Sequence, residues 1–156
     1  MRRALLVAGV LALAGCKRNS RPPALGEAVA VEQPGGSATQ LIAQGSEIPT
    51  SATESFTTSL DDERRLAIHV LRGTGRTAGK LHSEGWWVVD GVQPGKAGEP
   101  HVHVTFEVNA QGGLAVSARQ DDRKLKVSRT DADDAKLKPA PLSEPDDSED
   151  ADEDPE

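Results

Sequence analysis

The sequence has a single cysteine and few aromatic residues, and both shortages restrict what the chain can be. One cysteine excludes an intrachain disulfide. Because only two tryptophans and two phenylalanines are present, a core must be built mainly from valine, leucine, isoleucine and alanine. The 156 residues leave room for one modest domain with flanking segments.

Helical periodicity is also missing, since no segment repeats apolar residues every 3.6 positions over three turns. Apolar and polar residues instead alternate over short runs at 66–70, 101–108 and 124–127. Glycine, proline, asparagine and aspartate separate these runs, and residues 109–113 suit a hairpin loop with positive φ angles. The pattern predicts an all-β fold of short antiparallel strands, most simply a sandwich, over residues 27–130.

The net charge of −7 is unevenly distributed. Residues 131–156 contain twelve acidic side chains and two lysines, so the first 130 residues carry a net charge of +3. A net charge this small over the first 130 residues does not indicate a nucleic-acid-binding surface. The segment 131–156 has few large apolar residues, and we expect a disordered acidic tail. It either binds cations or basic partners diffusely or only keeps the domain soluble, and the composition favours the second role.

The first residues have the pattern of a secretory signal. A basic start at 1–3 precedes an apolar run at 4–14 that is too short to span a bilayer permanently. The run ends in Leu-Ala-Gly directly before Cys16, which resembles a bacterial lipobox. In lipoproteins that cysteine is acylated, as by palmitate, and becomes the new N-terminus. The alternative is a plain secretory signal that happens to contain a cysteine.

The lipobox resemblance predicts a signal peptide at 1–15, a lipidated Cys16 and a flexible tether over 16–26. Several acyl chains together give stable anchoring to a membrane. Lys17 follows the cysteine where inner-membrane retention in many Gram-negative bacteria uses aspartate. The expected location is therefore the cell envelope, with the periplasmic face of the outer membrane favoured over the inner membrane.

Three features could indicate other chemistry. His101 and His103 would share one face of a strand, as a metal site requires, but no third ligand accompanies them, so we expect no metal. The glycine-rich run at 73–79 lacks the Gly-Lys-Ser/Thr ending of a phosphate loop. No serine has the surroundings of a nucleophile elbow. We therefore expect neither an enzyme nor a bound cofactor.

Five stretches of the sequence belong together: VAVEQPGG at 29–36, TQLIAQGSEIPT at 39–50, SFTT at 55–58, RLAIHVLRG at 65–73, and GWWVVDGVQPGKAGEPHVHVTFEVNAQGGLAVSAR at 85–119. They resemble the peptide-binding β-domain of DnaK-type chaperones, the Hsp70 family. They occur in the family's order and spacing, and together they span residues 29–119. In that family the domain is an eight-stranded antiparallel β-sandwich that holds an extended hydrophobic peptide, and the resemblance implies the same fold here.

The resemblance also implies a set of groove residues. The apolar pocket positions correspond to Val31, Phe56, Leu66, Ile68, Val102 and Val104. An arch over the peptide corresponds to Pro34, where the family commonly has methionine, and Ser59, where it commonly has alanine. Proline is rigid and lacks a backbone donor, so these changes can weaken enclosure of a peptide. The alternative is that the six apolar side chains are simply core, as in any sandwich.

In the family, an ATPase domain controls the groove through an acidic-hydrophobic linker, and a helical lid covers the peptide. Here residues 21–24 occupy the linker position without those features, and the acidic tail occupies the lid position. We therefore expect no nucleotide and a passive holdase or adaptor that exchanges its ligand quickly. Its partners would be unfolded or extended segments of envelope proteins. The alternative function is a structural or assembly module with a vestigial groove.

Overall fold

The computed structural model describes residues 21–130 and 138–143, and the described chain is all-β. A single 3₁₀ turn, Ala78–Lys80, lies in the connection between the fourth and fifth strands. No helix in the described ranges has the length and apolar character needed to cross a bilayer. The eight strands are β1 Val29–Glu32, β2 Ala38–Ile42, β3 Thr50–Phe56, β4 Arg65–Arg72, β5 His82–Asp90, β6 Val102–Val108, β7 Leu114–Gln120 and β8 Arg123–Thr130.

All strand pairs are antiparallel, in the order β2-β1-β4-β5-β8-β7-β6-β3. Strand β8 belongs to both halves of this sheet. Its first residues pair with β7, as at Leu125 opposite Ala118, and its later residues pair with β5, as at Thr130 opposite Trp86. The sheet therefore folds over at β8 into a sandwich that is nearly a barrel. The predicted all-β, eight-stranded antiparallel fold is confirmed.

Strand β6 shows how the alternating sequence builds the core. Val102, Val104, Phe106 and Val108 are all buried, whereas His103 between them is exposed. Successive side chains of a strand point to opposite faces, so one apolar stripe enters the interior. The Phe106 ring lies 6.2 Å from the Phe56 ring, centroid to centroid, across the β3–β6 pair.

The side chain of Asn109 stabilises the hairpin loop between β6 and β7. The Asn109 Oδ1 atom accepts hydrogen bonds from the backbone N–H groups of Gln111 at 2.9 Å and Gly113 at 2.8 Å. Gly112 has a φ of 82°, a conformation that suits glycine. The expectation of a hairpin loop with a positive φ at 109–113 is confirmed.

Contacts with the sandwich begin before residue 27, the predicted start of the domain. Leu25 is buried and its N–H donates to the Ser46 carbonyl oxygen at 2.8 Å, while the Ile48 N–H donates to the Pro23 carbonyl oxygen at 2.9 Å. The last residues of the expected tether thus run beside the β2–β3 connection. The predicted signal peptide and Cys16 lie outside the described residues.

Candidate functional site

Two strand edges on one side of the sandwich are not covered by another strand. Strand β3 ends the strand order and pairs with β6 alone among the eight strands. Strand β1 pairs with β4 only at Val70–Arg72, so residues 65–69 have no strand partner on that side. Unpaired edges offer N–H and C=O groups to any extended polypeptide. The candidate site is the groove between these two edges.

In this groove lie residues 138–143 of the same chain, which we call the docked segment. On the β4 side, Pro139 forms a parallel bridge with Ala67. The N–H of Ala140 donates to the carbonyl oxygen of Ala67 at 2.8 Å. The segment therefore begins as an addition to the free part of β4.

The second half of the docked segment pairs with β3. Leu142 forms an antiparallel bridge with Phe56. The N–H of Thr57 donates to the Pro141 carbonyl oxygen at 3.0 Å, and the N–H of Ser143 donates to the Ser55 carbonyl oxygen at 2.9 Å. The segment thus crosses from one half of the sandwich to the other through main-chain hydrogen bonds.

Side chains of the docked segment also contribute to the core. Ala140 is 5% exposed and belongs to the main hydrophobic cluster, and Leu142 is half-buried against the same cluster. The Leu142 N–H donates to Gln33 Oε1 at 3.0 Å, just beyond the end of β1. These contacts differ from the expectation of a disordered tail for residues 138–143. Burial of apolar side chains and pairing of backbone groups stabilise these six residues. The composition of 131–156, taken as a whole, does not predict this.

The structure brings the six predicted pocket residues together. Each is at most 1% exposed, and all belong to the cluster that contains Ala140: Val31, Phe56, Leu66, Ile68, Val102 and Val104. The two interpretations of these side chains, groove floor and plain core, both predict burial. In addition, the docked segment packs on this cluster as an extended chain. Neither interpretation requires that contact.

The two predicted arch residues are both exposed. Pro34 lies in the β1–β2 turn beside Gln33, and the Ser59 N–H donates to Glu63 Oε2 at 3.0 Å. Ser59 borders a cavity of about 110 Å³ that continues the groove beside Ala140. The other residues around the cavity are Leu60, Glu63, Leu66, Ala67 and Lys138. Leu60 is 67% exposed, so an apolar side chain is open to solvent at this end of the groove.

Sequence reasoning missed the residues that act through their backbone or a terminal amide, namely Gln33, Ser55, Thr57 and Ala67. A main-chain hydrogen bond leaves no mark on residue type, so no sequence pattern identifies these positions. Next to them, the hydroxyl oxygens of Ser55, Thr57 and Thr58 are buried without a hydrogen-bond partner within the described ranges. A buried hydroxyl without a partner lowers stability.

A second polar cluster lies on the half of the sheet that contains β1, β4 and β5. The His69 Nδ1 atom is 2.6 Å from Glu32 Oε2, and its Nε2 atom is 2.8 Å from Ser83 Oγ. The Trp86 ring stacks on the imidazole at 4.4 Å between centroids. The cluster ties three adjacent strands together, and we assign it a structural role. Trp86 is half-buried and its neighbour Trp87 is buried in the core, in line with the alternation of side chains along a strand.

His101 and His103 are both exposed. No group of three or more His, Cys, Asp or Glu side chains in residues 21–130 and 138–143 is arranged to hold a metal ion. The groove is therefore the feature of the described chain with the most distinctive geometry.

Comparisons with known proteins agree with this geometry. The family model described as Hsp70 protein matches residues 25–150. The chaperone protein dnaK of Cyanidioschyzon merolae (strain NIES-3377 / 10D) is 38% identical over 90 residues, which are 58% of this chain and 15% of that relative. The chaperone protein dnaK of Cyanidium caldarium gives the same values. The matched part is thus a small fraction of either relative. With a match over residues 25–150 and an eight-stranded sandwich of the expected kind, the chain belongs to the Hsp70 family.

Proposed function

We propose that the sandwich binds extended, largely apolar polypeptide segments in the groove between β3 and β4. One observation carries this proposal: residues 138–143 lie extended in that groove and are held there by main-chain hydrogen bonds to both edges. Addition of a strand to a free edge recognises the backbone of a ligand, while side-chain pockets supply selectivity. Membership of the Hsp70 family supports a chaperone-like role.

The groups available to a ligand are neutral. They are the Ala67 and Ser55 carbonyl oxygens, the Thr57 N–H and the Gln33 amide, above a cluster of aliphatic and phenyl side chains. A charged ligand side chain over the aliphatic and phenyl cluster would lose hydration, and the charged residues Glu63 and Lys138 border only the cavity at the Ala140 end. The site therefore favours apolar side chains at the positions of Ala140 and Leu142 and tolerates varied residues between them.

Binding is proposed to be passive, in the manner of a holdase or adaptor, without catalysis or a nucleotide cycle. Residues 21–24 support this, because Arg-Pro-Pro-Ala keeps neither the acid nor the leucine run of the family's linker. A ligand in an open groove dissociates quickly, since affinity differences appear mainly in the dissociation rate.

The protein is further proposed to act in a bacterial cell envelope, anchored through acylated Cys16. The support is the Leu-Ala-Gly-Cys sequence that ends at Cys16 after a short apolar run. Lys17 favours the outer membrane by the lipoprotein resemblance. Its partners would then be unfolded or extended segments of envelope proteins.

A second candidate function is a structural or assembly module with a vestigial groove. It is favoured by the near-complete burial of all six pocket side chains and by the presence of the chain's own residues in the groove. In that case the docked segment is a permanent part of the fold.

The test is a titration of a fluorescent hydrophobic heptapeptide with the full chain, followed by anisotropy. The matched control is the same peptide with N-methyl groups on alternate amides, which keeps the side chains and removes backbone donors. We expect saturable binding of the first peptide and at least about tenfold weaker binding of the second, the equivalent of about 1.4 kcal/mol. Equal binding of both peptides, or none of either, would contradict strand addition.

A further inference from the structure

We propose that the docked segment, residues 138–143, is an intramolecular ligand that keeps the groove closed until an external peptide displaces it. The inference rests on the proposed function and adds regulation of the same site. The described contacts of the segment are with the two groove walls. It reaches Ala67 on β4, Ser55 and Thr57 at the end of β3, and Gln33 after β1. An external strand added to these edges would need the same hydrogen-bonding groups, so the two ligands are mutually exclusive.

The composition of the segment suits a ligand that docks readily but loosely. Pro139 and Pro141 restrict the backbone to extended conformations, which reduces the entropy lost on docking. The same prolines have no N–H to donate, so two backbone positions contribute no donor. Leu142 is the one large apolar side chain of residues 138–143 and is half-buried rather than enclosed. A peptide without prolines can form hydrogen bonds that this segment cannot.

Covalent linkage lets a weak ligand compete well. Seven residues, 131–137, connect the end of β8 at Thr130 to Lys138. A short covalent connection raises the effective concentration of a tethered ligand to the order of mM. A segment with only modest intrinsic affinity therefore occupies the groove for most of the time, and an external peptide binds with an apparent affinity reduced by the open fraction.

One feature of the groove gives an external ligand an advantage. The cavity of about 110 Å³ beside Ala140 is left unfilled by that methyl group. A displacing peptide should therefore carry a bulky apolar residue at the position of Ala140, two residues before the equivalent of Leu142. The favoured external ligand is an extended segment with leucine-like residues at alternate positions.

The principal experiment compares full-length wild type with Leu142→Asp in the heptapeptide titration. The substitution should weaken docking of the segment and strengthen the apparent affinity for external peptide by about tenfold. The matched control is Ser143→Asp, which adds the same charge one residue later. Neighbouring side chains of an extended chain face opposite ways, so this control should change the affinity less than about twofold.

A second measurement keeps the test valid if a variant folds poorly. In wild type, hydrogen exchange should show protection of the Ala140, Leu142 and Ser143 amides, because each donates a hydrogen bond in the docked state. Saturating heptapeptide should remove that protection. A synthetic Lys-Pro-Leu-Pro-Leu-Ser peptide should displace the segment at lower concentration than Lys-Pro-Ala-Pro-Leu-Ser.

The outcomes separate the two proposals. Equal peptide affinity in wild type and Leu142→Asp, or amide protection that persists with peptide bound, would overturn self-occupancy and leave peptide binding intact. Absence of peptide binding in every variant would overturn both. A dimer in sedimentation that Leu142→Asp dissociates would also overturn the proposal, because the segment would then dock into a second copy.

Discussion

Leu142 lies opposite Phe56 in an antiparallel bridge, although 86 positions separate the two residues in the sequence. Phe56 is fully buried and is one of the six residues predicted to form the pocket. Its bridge to Leu142 places the second half of the docked segment beside the free edge of β3. The contact links the acidic C-terminal part of the chain to the candidate binding site.

Shortening the chain after Thr130 should lower the free energy of unfolding by about 1–3 kcal/mol. Four hydrogen bonds of the docked segment and the burial of Ala140 are lost, and part of this is offset by the entropy of the released residues. Urea denaturation provides the measurement. The control ends after Ser143 and removes only residues 144–156, so it should stay within about 0.5 kcal/mol of wild type. Equal stability of both shortened chains would contradict docking.

Val102→Phe should destabilise the protein by about 1–3 kcal/mol through overpacking. Val102 is fully buried opposite Phe56, so the added volume of a ring enters the core cluster. His103→Phe on the same strand is the control, because its side chain is exposed and the change should stay within about 0.5 kcal/mol. If Val102→Phe instead left stability unchanged and abolished heptapeptide binding, the space beside Val102 would belong to the ligand.

Two ion pairs of β4 should contribute very differently to stability. Arg72 Nε lies 2.9 Å from Glu84 Oε2 with 11% and 26% of the side chains exposed, and Arg72 also donates to the Gly112 carbonyl oxygen. Arg65 makes a pair of the same length with Asp90, at 63% and 34% exposure. Arg72→Met should cost about 1–3 kcal/mol because a partly buried carboxylate and carbonyl lose their donor.

Arg65→Met is the matched control for Arg72→Met and should cost less than about 1 kcal/mol, since solvent screens an exposed pair. Chemical denaturation of both variants measures the loss in the free energy of unfolding for each ion pair. Equal losses would show that burial does not distinguish the two pairs.

Cys16→Ala should release the protein from the membrane fraction and abolish incorporation of labelled fatty acid. The thiol of Cys16 is the proposed acylation site, and stable anchoring requires the acyl chains. Membrane fractionation and metabolic labelling in a bacterial host are the measurements. Wild type without fatty-acid incorporation, or Cys16→Ala retained in the membrane, would contradict the anchor.

Restoring the family's arch residues should slow the release of bound peptide. A Pro34→Met and Ser59→Ala double variant places a flexible thioether chain and a methyl group at two exposed positions beside the groove. We expect the dissociation rate in stopped-flow fluorescence to fall by about threefold, equivalent to ~0.65 kcal/mol. Gln40→Met, at an exposed position of β2, is the control and should leave the rate unchanged. An unchanged rate in the double variant would show that the arch does not enclose the ligand.

The sequence alone determined the fold class and the buried stripe. Alternation at 101–108 predicts that Val102, Val104 and Phe106 face inward, because side chains of a strand alternate with a period of two. The five stretches that resemble the chaperone domain added the strand number and a prediction of the pocket positions. Both kinds of information reside in residue type and spacing, which the sequence shows directly.

Only the tertiary structure decided what occupies the groove. The composition of residues 131–156 predicts a solvated acidic tail, yet residues 138–143 pair with β3 and β4. Strand addition relies on backbone N–H and C=O groups, which nearly every residue type offers, so it leaves no distinctive sequence pattern. It also depends on the open edges of β3 and β4, and those edges exist only once the strands have paired in the folded sandwich.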